Sequence, residues 1–164
     1  MSMSGYNMYK SYCEPPTEVV SKLKADTDKG LNCCVFSPAG NIVATGGDDF
    51  YLRLWDVNTY SSENKAFKPF LCPISAVAWN ATGSMIAVAG TDQQIGLVRT
   101  RPTIGLVKKF SGHSECITAL NFNRSGKQVI SGSSDRTVRV WDTTTGDMIK
   151  QVPCMSTITC MNVN

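Results

Sequence analysis

The side chains of this chain that could take part in catalysis centre on its single histidine, His113. Ser111, Ser114 and Cys116 lie within three residues of it. A hydroxyl or thiol beside an imidazole is the pairing that nucleophilic acyl transfer needs. Any histidine-dependent catalysis would therefore have to use this one imidazole.

The cysteines and carboxylates lack the spacing that metal sites and hydrolases use. Seven cysteines are present, an odd number, and no two form the CxxC pair of a structural zinc site. Asp48 and Asp49 adjoin in a predicted turn, and Gly126-Lys127 lacks the spacing of a phosphate-binding loop. We predict no metal site and no cofactor, and we expect the cysteines to be thiols in a reducing compartment.

The composition is that of an ordinary globular domain, with 42% hydrophobic and 18% charged residues in a chain of 164. The net charge of +3 is small and no long run of lysine or arginine accompanies it, so nucleic acid is not an expected partner. Residues 1–10 lack the apolar core of a signal peptide, and no stretch of about 18 apolar residues occurs. We expect a cytoplasmic protein without a transmembrane segment, the nucleus being the alternative location.

A spacing of 43 residues organises the chain. Two copies of the repeated segment end in the same dipeptide, Trp55-Asp56 and Trp141-Asp142. Three further columns recur at this interval: Phe36, Trp79 and Phe122; Gly40, Gly83 and Gly126; Asp49, Asp92 and Asp135. A period of about 40–45 residues with that ending is typical of a four-stranded β-propeller blade. The sequence therefore predicts an all-β fold.

Short runs of alternating apolar and polar residues between turn-forming segments predict the strands of each copy. In the third copy these runs are Ile117–Phe122, Gln128–Ser131, Thr137–Trp141 and Met148–Val152. The first three of these runs have counterparts that align without a gap in the first two copies, and their apolar columns agree. Each copy is therefore predicted to form one blade.

The repeats divide the chain into a tail and a partial propeller. Residues 1–17 contain Pro15-Pro16 and no periodicity, and we predict an irregular segment there. The propeller would occupy residues 18–164, with repeats at about 19–57, 66–100 and 106–142 and the start of a fourth at 148–164. Ile158–Asn164 closely resembles Ile117–Asn123, which predicts the first strand of a fourth blade.

Three blades and one strand cannot close a ring, because propellers have about 4–8 blades. Open ends would expose strand edges and apolar blade faces, which is an aggregation hazard. We therefore expect a truncated form or an incomplete gene product. A partner chain that supplies the missing blades is the alternative.

Residues 18–164 resemble the WD40-repeat propeller family. The third copy carries the whole pattern in Gly112-His113, Ser131–Asp135 and Val140–Asp142. The resemblance implies a hydrogen-bonded chain of four side chains, which here would be His113, Ser131, Asp135 and Trp141. It thereby gives His113 a structural role, and we predict no catalytic residues and no enzyme activity.

The other two copies match this chain in part. The first supplies Thr45, Asp49 and Trp55, with Thr27 where the histidine is expected. The second retains Asp92 alone, and the other three positions hold Phe70, Val88 and Val98. The resemblance therefore implies that apolar packing holds the second blade together.

Within the family, the chain is similar to the C-terminal propeller of autophagy sixteen-like proteins. The segments that carry this likeness are Leu106–His113, Val129–Thr137, Val35–Pro38 and Ala44–Gly47. It implies a non-enzymatic scaffold that binds protein partners, among them the lipid-conjugation machinery of autophagosome assembly. Those proteins also carry an N-terminal machinery-binding segment and a coiled coil, and this sequence shows neither.

Two other assemblies remain open as alternatives, namely RNA processing and ubiquitin ligation. WD40 receptors of cullin-type ligases often carry an arginine two residues after the Trp-Asp pair, and these positions hold Asn58 and Thr144 here. That observation weakens the interpretation as a ligase receptor. An enzyme built on a propeller would need inward-facing polar groups or a metal, for which the sequence gives no motif.

Overall fold

The computed structural model describes residues 28–59 and 62–162. The predicted tail at 1–17 lies outside these residues. Within them the chain forms β-strands and no helix, so no described segment could cross a bilayer as a helix. The strands are β1 (Leu31–Phe36), β2 (Ile42–Gly47), β3 (Leu52–Asp56), β4 (Ser62–Phe67), β5 (Ile74–Trp79), β6 (Met85–Gly90), β7 (Gln94–Arg99), β8 (Gly105–Ser111), β9 (Ile117–Phe122), β10 (Gln128–Ser133), β11 (Thr137–Asp142) and β12 (Met148–Pro153).

These strands form three antiparallel sheets of four, each in simple chain order. Blade 1 is β1–β4, blade 2 is β5–β8 and blade 3 is β9–β12. The sequence period is also a structural period, because the second and third strands pair in the same register in every blade. The equivalent partners are Val43 and Trp55, Ile86 and Val98, and Val129 and Trp141. The predicted all-β fold of propeller blades is confirmed.

The glycine column explains why each blade turns tightly between its first two strands. Gly40, Gly83 and Gly126 have φ of 72°, 70° and 71°, a left-handed conformation that side chains with a Cβ disfavour. Each glycine donates its N–H to the carbonyl three residues earlier, at 2.9–3.0 Å. The same turn is therefore built three times by one residue type at one spacing.

Apolar side chains between neighbouring blades form the core, in two clusters that share blade 2. The cluster between blades 1 and 2 contains Ile42, Ala44, Leu52, Leu54, Phe70, Ile74, Val77, Trp79, Ile86, Val88 and Val98. The cluster between blades 2 and 3 contains Ala76, Ala78, Ala87, Ala89, Ile95, Leu97, Phe110, Ile117, Leu120, Phe122, Val129 and Trp141. Blade 2 is thus packed on both faces.

A polar side chain on the first strand of each blade donates a hydrogen bond to the next blade along. The three bonds join Asn32 Nδ2 to the Ile74 carbonyl at 3.0 Å, Ser75 Oγ to the Ile117 carbonyl at 2.6 Å, and Thr118 Oγ1 to the Ile158 carbonyl. The donors are 43 residues apart. Ile158 therefore contacts blade 3 as Ile74 contacts blade 1.

The segment after blade 3 occupies the position of a fourth inner strand without forming one. Residues 158–162 have no strand ladder, since no second strand lies beside them among the described residues. Met148–Pro153 pairs with β11 and is the outer strand of blade 3. A sequence copy counted from residue 148 therefore contributes its first strand to the preceding sheet.

Candidate functional site

The four polar residues predicted from the third copy lie together in blade 3. Trp141 Nε1 donates to Ser131 Oγ at 2.8 Å, and Ser131 Oγ lies 2.7 Å from His113 Nε2. His113 Nδ1 lies 2.7 Å from Asp135 Oδ2. The Ser131 hydroxyl therefore accepts a hydrogen bond from the indole and donates one to Nε2 of His113. The imidazole in turn donates from Nδ1 to the carboxylate of Asp135. Each of these donors thus has one acceptor.

Four different elements bring these side chains together. His113 lies in the connection from β8 to β9, Ser131 in β10, Asp135 in the turn from β10 to β11, and Trp141 in β11. The indole also stacks on Phe110, with ring centroids 5.9 Å apart. The chain of hydrogen bonds thus fixes the segment entering blade 3 and the β10–β11 turn to the sheet.

Burial and hydrogen bonds together determine the charge states of His113 and Asp135. Desolvation lowers the pKa of His113, and the hydrogen bond to Asp135, which raises it, offsets this only in part. Burial also opposes ionisation of Asp135, but hydrogen bonds from Thr137, His113 and Ser114 outweigh it and hold the pKa of that carboxyl well below its ordinary value. The pair is therefore a neutral imidazole beside a carboxylate.

Ser131, His113 and Asp135 have the connectivity of a serine-hydrolase triad, with Oγ to Nε2 and Nδ1 to carboxylate contacts both at 2.7 Å. Ser131 is fully buried, however, and its oxygen already accepts the indole N–H of Trp141. A substrate carbonyl cannot reach that hydroxyl. The geometry supports a structural group.

The other nucleophiles near His113 do not complete a catalytic pair. The Cys116 thiol lies 3.7 Å from the carbonyl of Ile117, and Ser114 contributes its backbone N–H to Asp135 at 3.2 Å. In blade 1, burial raises the pKa of the Cys33 thiol to about 11, which removes thiolate reactivity at neutral pH. Among the described residues, no group of three or more potential ligands lies close enough to hold a metal ion.

Blade 1 has a shorter polar chain of different composition. Trp55 Nε1 donates to Thr45 Oγ1 at 2.8 Å, as its counterpart does in blade 3. Asp49 pairs with Arg53 at 2.5 Å. Thr27, expected at the histidine position, lies outside the described residues. The sequence analysis did not identify Arg53 as a partner of Asp49. Its position four residues after Asp49 is the sequence feature that could have identified it.

The corresponding pair in blade 3 has a longer distance. Arg139 stands four residues after Asp135, and its guanidinium lies 3.9 Å from that carboxylate. The imidazole of His113 occupies the same oxygen, Asp135 Oδ2. Arginine therefore serves as a secondary partner where histidine is present.

Blade 2 replaces the polar chain with apolar packing. Phe70, Val88 and Val98 are buried in the cluster between blades 1 and 2. Asp92 keeps a turn role and accepts the backbone N–H of Gln94 at 3.3 Å. These three apolar residues lie where the sequence analysis expected them to pack.

The aspartate of the Trp-Asp pair has its own function in two blades. Asp142 Oδ1 accepts the backbone N–H groups of Thr144 and Thr145 at 2.7 and 3.0 Å, and Asp56 caps the equivalent turn of blade 1. These bonds hold the pKa of both carboxyls below its ordinary value. The tryptophan therefore links the third strand to the second, and the aspartate stabilises the turn that follows.

An aromatic cluster with cations lies on the β2–β3 end of blade 1. Lys68 Nζ is 5.0 Å from the ring centroid of Phe50 and 5.8 Å from that of Tyr51. The guanidinium of Arg53 lies 5.2 Å from the Tyr51 centroid. Tyr51 is only half buried, because its ring stacks with these cations at the surface.

The second copy has an arginine at the position two residues after the place of the Trp-Asp pair. Asn58, Arg101 and Thr144 are 43 residues apart, so Arg101 is the equivalent in the second copy. Val98-Arg99 replaces the Trp-Asp pair there, which hid it. Counting by register alone would have found it.

Comparison with known proteins supports the WD40-repeat family. The family model described as "WD domain, G-beta repeat" matches residues 17–56 and 105–142. Those two segments carry the repeat. Neither matched segment includes the second copy, where Val88 and Val98 replace polar positions of the repeat.

Curated relatives cover most of this chain but only a part of their own length. COMPASS component SWD3 of Saccharomyces cerevisiae is 29% identical over 133 residues, which are 79% of this chain and 41% of that protein. Nuclear distribution protein nudF of Aspergillus flavus is 26% identical over 82% of this chain and 30% of its own. Human F-box-like/WD repeat-containing protein TBL1X is 27% identical over 73% and 23%. This chain thus spans less than half of each.

Solved structures give the same fold. The RRP9 WD40 repeats match with a TM-score of 0.77 at 17% identity, and U3-55K matches with 0.77 at 19%. Each comparison covers 84% of this chain and 43% of the other. None of the relatives or structures named here is an autophagy sixteen-like protein, so that finer resemblance stays a prediction.

Proposed function

We propose that this WD40 chain is a non-enzymatic scaffold that binds protein partners through side chains on its turns. One observation carries the proposal. Phe50, Gln93 and Arg136 occupy the same position of the turn between the second and third strands, with φ of 74°, 69° and 64°. One rigid turn thus presents an aromatic ring, an amide and a guanidinium at one end of the three blades.

Rigid sheets that hold variable turn residues are the usual construction of a binding surface. The buried hydrogen-bonded group of His113, Ser131, Asp135 and Trp141 supports the same conclusion, because it stabilises the turn that carries Arg136. SWD3 is named as a component of the COMPASS assembly, which is in keeping with a role of this kind.

The finer proposal is a role in autophagosome assembly, with the lipid-conjugation machinery as partner and the cytoplasm as location. It rests on the sequence resemblance in segments such as Leu106–His113. A subunit of an RNA-processing assembly or a ubiquitin-ligase receptor is the alternative. Recovery of no lipid-conjugation protein in an affinity capture would exclude the autophagy version and leave the scaffold proposal standing.

The scaffold proposal is tested by removing the three turn side chains together, as Phe50→Gly, Gln93→Gly and Arg136→Gly. Glycine adopts positive φ without strain, so the melting temperature should not fall. Capture of the chain's partners from cell extract, quantified by mass spectrometry, should drop at least tenfold. Arg124→Ala with Lys127→Ala, at the opposite end of blade 3, is the matched control. Undiminished capture by the triple variant would refute the proposal.

A further inference from the structure

A cavity of about 290 Å³ lies between blades 1 and 2, at the end of the sheets opposite the turns that carry Phe50 and Gln93. The β1–β2 turn of blade 1 forms one wall and the β5–β6 turn of blade 2 the other. Arg101, in the connection from β7 to β8, lines the cavity as well. The site is thus made by three separate turns.

The charge of this cavity is positive. No aspartate or glutamate is among its lining residues. Arg101 is exposed and forms none of the ion pairs seen among residues 28–59 and 62–162. A guanidinium with five N–H donors therefore faces a cavity that offers it no carboxylate.

Hydroxyl groups on the wall add a further donor. Thr82 Oγ1 and Ser84 Oγ are 2.8 Å apart, so one of them donates to the other. Asn80 Nδ2 donates to both oxygens, at 3.0 and 3.1 Å. The two hydroxyls carry two protons and their mutual bond uses one. The second proton is left for a group outside this trio.

The remaining wall is apolar. The indole N–H of Trp79 is already used, since it donates to the carbonyl of Val35 at 3.2 Å. Its ring, with Pro38 and Ala39, presents carbon to the cavity. A ligand with a short aliphatic stem and an anionic head would satisfy all three features.

We propose that this cavity binds a carboxylate side chain of a protein partner, with glutamate as the best fit. Arg101 holds the carboxylate with the free hydroxyl of the Thr82 and Ser84 pair, and the Trp79 ring covers the methylenes. The copies differ here, because Asn58 and Thr144 stand in the places equivalent to Arg101. The proposal rests on the scaffold function in that its ligand belongs to a partner, but it uses a different surface.

The test uses blocked amino acids as probes and the 164-residue chain in solution. N-acetylglutamate methylamide is titrated while the indole N–H signal of Trp79 is followed by NMR, with Trp79→Phe to assign it. We expect a saturable shift of that signal and none at Trp55 or Trp141. The uncharged glutamine analogue should bind at least tenfold more weakly.

Variants locate the binding. Arg101→Ala should raise the dissociation constant for the glutamate probe at least tenfold. Arg101→Lys should raise it less, since lysine keeps the positive charge but lacks the bidentate N–H donors of the guanidinium. Arg124→Ala, at an exposed arginine in the β9–β10 turn of blade 3, should leave it unchanged.

Three outcomes would overturn the proposal: equal binding of both analogues, no effect of Arg101→Ala, or binding of inorganic phosphate without glutamate. The scaffold function would survive each of them, because its own test depends on Phe50, Gln93 and Arg136.

Discussion

At the scale of single residues, Trp141 joins the polar and the apolar parts of blade 3. Its N–H is the first donor of the chain that runs through Ser131 to His113, and its ring stacks on Phe110 within the core between blades 2 and 3. Loss of this side chain removes buried apolar surface and leaves the Ser131 oxygen with one donor fewer. The two losses reinforce each other.

We therefore expect Trp141→Ala to lower the free energy of unfolding by about 3–5 kcal/mol, as large aromatic truncations in cores do. Urea denaturation followed by circular dichroism would measure it. Phe36→Ala is a suitable control, because that ring is 61% exposed and should change stability little. An unchanged unfolding midpoint in Trp141→Ala would show that β11 is misplaced.

The charge states at His113 and Asp135 predict how stability depends on pH. The folded pKa of His113 lies below the unfolded value of about 6.5, so acidification protonates the unfolded chain first and stability falls below about pH 6.5. The folded pKa of Asp135 is also lowered, so its contribution is present above about pH 4 and is lost below that. Both effects reduce stability on acidification.

Melting temperatures from pH 8 to pH 3 would check this. Asp135→Asn should reduce the loss below about pH 4 without abolishing it, because Asp56 and Asp142 keep their own lowered pKa values. Asp147→Asn, at an exposed position between β11 and β12, is the matched control. A melting temperature that rises between pH 7 and pH 5 would contradict the assignment of a neutral imidazole.

At the scale of strands and turns, the inner three strands of each blade were predictable and the outer ones largely were not. Strands such as β9 and β10 have one face in a core, so apolar residues recur in register. β8 has exposed apolar residues, Leu106 and Val107, beside Lys108 and Lys109, because an outer strand packs little of either face. Periodicity has no one-sided burial to follow there. The sequence analysis did not predict β4 either.

The residues of the candidate site also differ in whether the sequence could predict them. Ser131 and Trp141 could be predicted, because the third copy matches the whole WD40 pattern and that resemblance implies their roles. The pairing of Asp49 with Arg53 could not, since it depends on which cation reaches a turn carboxylate in three dimensions. The cavity beside Arg101 is formed by three turns that are separated in sequence, so no local pattern reports it.

At the scale of the whole molecule, blade 2 differs from its neighbours. Residues 86–89 of its second strand are entirely buried, because blades 1 and 3 cover both of its faces. Ile130, Val138 and Val140 of blade 3 are only half buried. The equivalent positions of the other two blades are buried, namely Ala44, Leu52, Leu54, Ala87, Ile95 and Leu97. Stability should therefore be uneven along the array.

Hydrogen exchange of the folded chain should show this gradient. We expect the amides of β6 and β7 to exchange most slowly, those of β10 and β11 faster, and those of the exposed outer strand β12 fastest. Mass spectrometry of peptic fragments resolves the three groups. Stronger protection of β10 than of β6 would refute the claim that packing on two faces sets local stability.

The offset between sequence copies and sheets has a practical consequence for anyone dividing this chain into pieces. A cut at about residue 105, where the third copy begins in sequence, would remove β8 from blade 2. The backbone groups of β7 that pair with β8 would then be unpaired. A cut after residue 116 would instead take His113 away from Ser131. A division between Ser111 and Gly112 keeps β8 in blade 2 and keeps His113 on the same piece as Ser131. That peptide bond is therefore the best position for separating recombinant halves, for permuted termini and for inserted tags.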